Sequence, residues 1–168
     1  STVGNAIINL LTAPGRIASG RIFLNKQDVL SLSNKEIVKM RGREIGFIFQ
    51  DPMTSLNPVK KVGAHFVELI HTHEPNVSER ETLERAKKAL NDVGILPERI
   101  NDYPHQFSGG MRQRMALAAA IAHDPQVLFA DEPTASLDDA SGLEVLRVVR
   151  RWLDERPGER VFVFVTHR

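Results

Sequence analysis

Residues 126–138 read QVLFADEPTASLD, and this stretch indicates the fold more clearly than any other part of the chain. Residues 126–130 (QVLFA) predict a buried strand, and Asp131, Glu132 and Pro133 follow at its end. Two carboxylates, Asp131 and Glu132, stand at the end of that strand. One of them could hold a metal ion while the other activates a water molecule. The same pair could instead cap the following turn, and this stretch alone leaves both interpretations open.

Two further segments predict buried strands, and helical patterns separate the three. Residues 44–49 (EIGFIF) and residues 160–166 (RVFVFVT) are rich in apolar and aromatic residues. Ser33 with Glu36, and Ser78 with Glu81, have the spacing of capping boxes at helix starts. Strands that alternate with helices predict an α/β fold with a largely parallel sheet.

Apolar spacing predicts three more helices. One covers residues 1–11, a second is the Ala-rich segment that follows Ser108 and runs to residue 122, and the third covers residues 138–155. Residues 51–122 form a helical block, so we expect a helical subdomain there and a core lobe made of residues 1–50 and 123–168. The apolar positions expected to face the core are Ile7, Leu10 and Leu11 in the first helix, and Leu143, Leu146, Val149 and Leu153 in the third.

Polar residues follow each of the three buried strands. They are Gln50, the pair Asp131 and Glu132, and His167. Ligands of open α/β sheets bind beyond the carboxyl ends of the strands, so these residues predict a site at one sheet edge. Gln50 could instead be an ordinary turn residue, and His167 is the penultimate residue, where a frayed end is the simpler interpretation.

A second candidate site is the sequence Ser108-Gly109-Gly110 at the start of the Ala-rich helix. Glycines at a helix N-terminus expose backbone N–H groups, and the positive end of the helix dipole adds to their attraction for an anion. Ser108 would be the N-cap and could also donate its hydroxyl. The alternative is a plain N-cap with no ligand, and a short pair of glycines alone does not exclude it.

The composition narrows the class of protein. Lys and Arg total 22 against 21 Asp and Glu, so no strong basic field favours nucleic acid as a partner. There is no Cys, which excludes a disulfide framework and a catalytic thiol in this sequence. The apolar runs are far shorter than the roughly 20 residues of a membrane-spanning helix.

Taken in order, these motifs resemble those of the ABC ATPase family. Residues 107–114 (FSGGMRQR) resemble the signature motif, and residues 126–138 resemble the Walker B strand followed by the D-loop. Gln50 matches the Q-loop glutamine, His167 the switch histidine, and Ser1-Thr2 the tail of the Walker A loop. More narrowly, residues 49–58 and 103–111 resemble the oligopeptide, dipeptide and nickel permease ATPases of bacteria.

The resemblance implies a P-loop NTPase core, with ATP and Mg²⁺ bound between two such domains that face each other head to tail. Glu132 would be the general base, and Asp138 would tie the two sites together. His167 would hold the γ-phosphate. The resemblance further implies that Ser1, Gln50 and Asp131 hold the metal, that Ser1 and Thr2 contact the nucleotide, and that Ser108, Gly109 and Gly110 contact it across the dimer.

The implied partners are a second ATPase domain, a transmembrane permease and, indirectly, a substrate-binding protein, with the chain peripheral on the cytoplasmic face of the cell (inner) membrane. No nucleic acid partner is implied. A non-transport ABC ATPase of DNA repair or chromosome maintenance is the alternative, although its long coiled-coil or Cys-containing insert has no counterpart here. An inactive fragment is the other alternative.

Several positions depart from the family pattern. The Walker A glycines and lysine would precede Ser1, the D-loop reads Ala135-Ser136-Leu137-Asp138, and Arg168 stands where Asp is usual. We therefore expect a fragment that begins inside the Walker A loop and also lacks a C-terminal region. Such a fragment should leave apolar strand edges unpaired and bind ATP poorly by itself.

Overall fold

A parallel sheet forms the centre of the computed structural model, which describes residues 2–49, 56–135 and 137–166. Its strands lie in the order β3–β4–β5 and pair in parallel, which confirms the predicted α/β fold. A separate antiparallel hairpin of two short strands precedes this sheet along the chain. The strands are β1 (Phe23–Leu24), β2 (Gln27–Asp28), β3 (Ile45–Ile48), β4 (Val127–Asp131) and β5 (Val161–Val165).

Three successive α-helices separate β3 from β4, and one α-helix separates β4 from β5. Several of them start directly after a residue whose side chain accepts a hydrogen bond from a first-turn N–H group, namely Ser33, Ser78, Ser108 and Asp138. The helices are α1 (Thr2–Ile7), α2 (Asn34–Arg43), α3 (Val62–His73), α4 (Glu79–Asp92), α5 (Gly109–Ile121) and α6 (Asp139–Glu155). Shorter 3₁₀ turns occupy Val29–Ser31, Pro97–Asn101 and Pro104–Gln106.

The two predicted capping boxes differ in the structure. At Ser33 the box is complete, because Glu36 Oε2 also accepts from the Ser33 N–H at 2.8 Å. At Ser78 only the serine half forms, with the Glu81 N–H donating to Ser78 Oγ at 3.2 Å. The Glu81 carboxylate instead accepts from Arg85 at 2.6 Å. The helix start was therefore predicted correctly, but the second half of the box at Ser78 was wrong.

The strand register brings the carboxyl ends of the three strands to one edge of the sheet. Ile48 pairs with Ala130, and Ala130 pairs with Phe164. Asp131 pairs with Val165 one position further on. The residues that follow each strand therefore start from the same edge, as the sequence predicted.

Helix α1 covers one face of the sheet at a point of very close approach. Phe47 and Phe129 stack there with their ring centroids 5.1 Å apart, and a Cβ added to Gly4 would lie 2.7 Å from Phe129 Cε1. At the other end of α1, the Arg41 guanidinium donates to the carbonyl of Ile8 at 2.9 Å. Because Arg41 lies just before β3, α1 runs opposite to the strands and its N-terminus points toward their carboxyl ends.

Two predicted buried faces were wrong in part. Helix α1 ends at Ile7 and buries Gly4, followed by Ile8, whereas Leu10 is exposed. A glycine at the contact point carries no hydrophobic signal, so apolar spacing alone could not find this face. In α6 Val149 is buried and Leu153 packs against the core, as predicted, but Leu143 and Leu146 are exposed. The rest of the buried apolar stripe consists of Val145, Val148 and Trp152.

The outer edge of β5 is apolar and exposed in the part of the chain that the structure describes. Val161, Val163 and Phe164 of this strand are exposed, and no strand pairs with this edge among the described residues. This observation agrees with the predicted apolar strand edge. Exposed apolar edges of this kind favour pairing with another strand.

The helical block shares an apolar core with the sheet. One cluster of buried residues contains Phe66 of α3, Leu90 of α4 and Leu117 of α5 together with Leu128 of β4. The predicted division into a core lobe (residues 1–50 and 123–168) and a helical subdomain (residues 51–122) stays a prediction.

Gly46 should not tolerate alanine, because β3 packs directly on α5 at this point. A Cβ at Gly46 would overlap the carbonyl oxygen of Ala120 and lie 3.1 Å from its carbonyl carbon. We expect Gly46→Ala to lower the free energy of unfolding by about 1–3 kcal/mol, measured by urea denaturation of the full-length protein. The matched control is Gly142→Ala, whose added methyl group would lie 3.5 Å from Thr134 Cβ and should be harmless. Equal unfolding midpoints for the two variants would contradict this packing.

Candidate functional site

Asp131 occupies the carboxyl end of the central strand. It is 4% exposed and is the last residue of β4. Side chains alternate along a strand, so Asp131 lies on the same face as Phe129, against which α1 packs. Asp131 therefore lies on the face of the sheet that α1 covers, at the end toward which the N-terminus of α1 points.

Glu132 follows in a backbone conformation that ordinary residues avoid. Its φ is +47°, its N–H donates to the carbonyl of Val165 at 2.9 Å, and its own carbonyl accepts from the Ala135 N–H at 3.2 Å. The left-handed region costs a residue with a Cβ about 1–2 kcal/mol. Such strained positions cluster at functional sites, so the turn fits a half-buried carboxylate that is held in place for chemistry.

The N-terminus of α5 has the features of an anion site. The Ser108 hydroxyl accepts from the Met111 N–H at 3.3 Å, and Ser108 and Gly109 are exposed. Phe107 anchors the preceding turn, since it is 2% exposed and lies beneath the Arg99 guanidinium at 4.6 Å from the ring centroid. The first-turn N–H groups of this 13-residue helix therefore lie at the surface, and the buried Phe107 fixes the position of the turn before them.

Asp138 caps α6, and Ser141 makes the largest contribution to holding its carboxylate. Its Oδ1 accepts from the Ser141 N–H at 2.9 Å, and its Oδ2 accepts from the Ser141 hydroxyl at 2.9 Å. These two bonds, the backbone one first, lower the pKa of the Asp138 carboxyl. Ser141 also touches Gly110, where an added Cβ would lie 2.9 Å from Ser141 Oγ. Ser141 was not predicted as a site residue, although its position three residues after an N-cap is a signal that could have identified it.

The remaining predicted site residues are only partly described. Thr2 is the first residue of α1 and is exposed. Ser1, Gln50 and His167 lie outside the described residues, so their predicted places stay predictions. Their nearest described neighbours along the chain, Phe49 and Thr166, directly follow β3 and β5.

Asp131 is a carboxylate at the end of β4 that could hold a metal ion. Within residues 2–49, 56–135 and 137–166, no group of three or more His, Cys, Asp or Glu side chains could hold a metal ion. Mg²⁺ is commonly bound by one or two carboxylates together with water and substrate phosphates. Asp131 is a carboxylate of that kind.

None of the described helices is long and apolar enough to cross a membrane.

A family model described as "ABC transporter" matches residues 1–135. The chain belongs to the ABC transporter family. It is 43% identical to the oligopeptide transport ATP-binding protein OppD of Bacillus subtilis over 99% of this chain and 47% of that protein. It is 39% identical to the dipeptide transport ATP-binding protein DppD of Lactococcus lactis over 99% of this chain and 48% of that protein.

Solved structures of ABC cassettes share the fold. A post-hydrolysis dimer of the ATP-binding cassette MJ0796, bound to ADP and Pi, superimposes with a TM-score of 0.79 at 28% identity and covers 99% of this chain and 71% of that chain. A second dimeric structure of the same cassette gives the same TM-score of 0.79.

The predicted ABC ATPase fold and the resemblance to the peptide-permease ATPases are both confirmed by these similarities. This ABC family member spans about half the length of the two peptide-transport relatives.

Proposed function

We propose that this chain is part of the subunit that binds and hydrolyses ATP to power an ABC importer of peptides. The observation that carries the proposal is the pair at the end of β4, where a buried Asp131 is followed by Glu132 in a left-handed backbone conformation. The similarity to oligopeptide and dipeptide transport ATP-binding proteins supports peptides as the cargo class. Nickel is the other cargo of the bacterial ATPases that the motifs resemble.

The chemistry proposed for the edge of the sheet divides between the two carboxylates. Asp131 would hold Mg²⁺, directly or through water, together with Ser1 and Gln50. Glu132 would orient the attacking water and accept its proton, while His167 would donate a hydrogen bond to a phosphate oxygen. Bound Mg·ATP supplies the phosphoryl group that is transferred to this water. Positioning and electrostatic stabilisation, rather than covalent catalysis by the protein, would provide the rate acceleration.

A second ATPase domain would complete each site. Ser108, Gly109 and Gly110 lie at the N-terminus of α5, where exposed N–H groups suit a phosphate on a facing subunit. Thr2 would contact the nucleotide of its own subunit. Asp138, at the start of α6, would lie at the dimer contact and link the two sites. The dimeric cassettes that share this fold support this arrangement.

Peptide import would also need a membrane permease and a substrate-binding protein as partners. The permease would dock in the apolar cleft of about 450 Å³ between the sheet, α3 and α5, where Phe47, Phe49, Leu56, Phe66 and Met115 are among the lining residues. A substrate-binding protein would deliver the cargo to the permease. The chain would then lie on the cytoplasmic face of the inner membrane.

Uptake measurements test this function. Cells that lack the gene should lose uptake of radiolabelled trialanine and regain it with the wild-type gene but not with the Glu132→Gln variant. Uptake of radioactive nickel, measured in the same strains, should not change. Unchanged trialanine uptake in the deletion strain would contradict peptide import, and loss of nickel uptake alone would redirect the cargo to the metal.

A further inference from the structure

We propose that Ser141 is a positioning residue that joins Gly110, at the start of α5, to Asp138, at the start of α6. The two helix starts would then move as one unit when the nucleotide sites close. The inference rests on the proposed function, because it concerns two residues that we place at the contact between two ATPase domains. Ser141 lies in the first turn of α6 and is half-buried.

On one side, Ser141 makes two hydrogen bonds to the carboxylate of Asp138. The Ser141 N–H donates to Asp138 Oδ1 and its hydroxyl donates to Asp138 Oδ2, each at 2.9 Å. An ordinary N-cap uses one oxygen of the side chain and leaves the other free to turn toward solvent. Here both oxygens are bonded to one residue, so the orientation of the carboxylate is fixed although Asp138 itself is exposed.

On the other side, Ser141 makes a steric contact with the start of α5. A Cβ built on Gly110 would lie 2.9 Å from Ser141 Oγ and 3.0 Å from Ser141 Cβ, which is closer than real Cβ atoms approach. A Cβ on the neighbouring Gly109 would meet only Arg112 Nη2, at 4.0 Å. The two glycines are therefore not equivalent, since Gly110 alone of this pair is required by a neighbour within the same chain.

A second contact joins α5 and α6 one turn further along both helices. Arg114 Nη1 donates to the carbonyls of Val93 at 3.2 Å and Gly94 at 3.1 Å, and it pairs with Glu144 at 3.2 Å. Arg114 follows Gly110 by one helical turn, and Glu144 follows Ser141 by a similar distance along α6. The close approach of Gly110 to Ser141 is thus the first of two contacts between α5 and α6, and the second is the ion pair of Arg114 with Glu144.

Because little space separates Gly110 from Ser141, we infer that a shift of Gly110 toward α6 would displace Ser141 and, with it, the carboxylate of Asp138 to which it is bonded. In the proposed dimer, phosphate binding at the start of α5 would therefore reposition Asp138 directly. Ser141 Oγ takes part in both contacts, since it donates to Asp138 Oδ2 and is the atom nearest to a Cβ built on Gly110.

A double-mutant cycle tests the geometry independently of ATP hydrolysis. Gly110→Ala should destabilise the full-length protein toward urea, and Ser141→Gly in the same chain should remove part of that loss because the clashing atoms are gone. Gly109→Ala is the matched control, and its effect should be the same in the wild-type and in the Ser141→Gly backgrounds. Equal effects of Gly110→Ala in both backgrounds would overturn the contact.

Steady-state kinetics test the coupling. Ser141→Ala keeps the side-chain volume nearly unchanged but removes one hydrogen bond, so kcat for ATP hydrolysis should fall by about three- to tenfold while the KM for ATP changes less than twofold. Gly142→Ala, in the same turn of α6, should leave both constants unchanged. A wild-type kcat for Ser141→Ala, or a rise in KM with an unchanged kcat, would overturn the proposal. If the wild-type protein itself does not hydrolyse ATP, the proposed function fails, and the cycle still decides whether the contact exists.

Discussion

Replacing Glu132 by Gln should lower ATP hydrolysis by the full-length protein by about 10²–10⁴-fold while ATP binding is preserved. Glutamine has nearly the shape of glutamate, and the bonds that fix the turn at this position involve its backbone, from Glu132 N–H to Val165 and from Ala135 N–H to Glu132. The variant should therefore fold normally and still bind Mg·ATP through Asp131. What it lacks is a carboxylate that can accept a proton from the attacking water.

Phosphate release measures the rate of ATP hydrolysis, and nucleotide titration measures ATP binding, so the two parts of this prediction are tested separately. Glu159→Gln makes the same chemical change at an exposed position just before β5, at the amino ends of the strands and away from Glu132. This variant should hydrolyse ATP at the wild-type rate. Turnover by Glu132→Gln close to the wild-type rate would remove Glu132 from the role of base. Loss of ATP binding together with turnover would instead indicate a structural role for this residue.

Replacing Ser108 by Arg should abolish ATP-dependent dimerisation and leave ATP binding by the monomer nearly unchanged. Ser108 is exposed at the N-terminus of α5, where the helix dipole already presents partial positive charge. A guanidinium there fills the space that a facing phosphate would need. In the Glu132→Gln background ATP is not consumed, so light scattering can record the dimer at equilibrium.

Ser78→Arg provides the matched control for this change. Ser78 is also an exposed N-cap serine that accepts one hydrogen bond from the N–H three residues on, so both variants lose the same cap. Ser78→Arg should still dimerise when ATP is added. An ATP-induced dimer of the Ser108→Arg variant would contradict the placement of this helix start across the interface.

Local rules predicted a large part of the fold. The N-caps at Ser33, Ser78 and Ser108 were read from the sequence because capping depends on a side chain and an N–H group only three residues away. The buried strand that ends in Asp131 could likewise be predicted, since a continuous apolar run is the signal of a strand buried on both faces.

Contacts between one helix or strand and another could not be predicted from the sequence. The buried face of α6 was predicted correctly at Val149 but wrongly at Leu143 and Leu146. These two leucines have helical spacing like that of the residues that pack inside, and only the position of the sheet distinguishes the two sides of the helix. The contact between Gly110 and Ser141 was also not predictable. It depends on the angle at which α5 and α6 meet, which no pattern within either helix contains.

The central claim is that this chain hydrolyses ATP in sites shared between two ATPase domains. The most direct test is the rate of phosphate release per molecule of full-length protein, measured over a wide range of protein concentrations with saturating Mg·ATP and alongside light scattering. We predict that the rate per molecule rises with concentration as dimers form, and that Ser108→Arg removes this rise. A constant, non-zero rate per molecule in samples that light scattering shows to be monomeric would contradict the account.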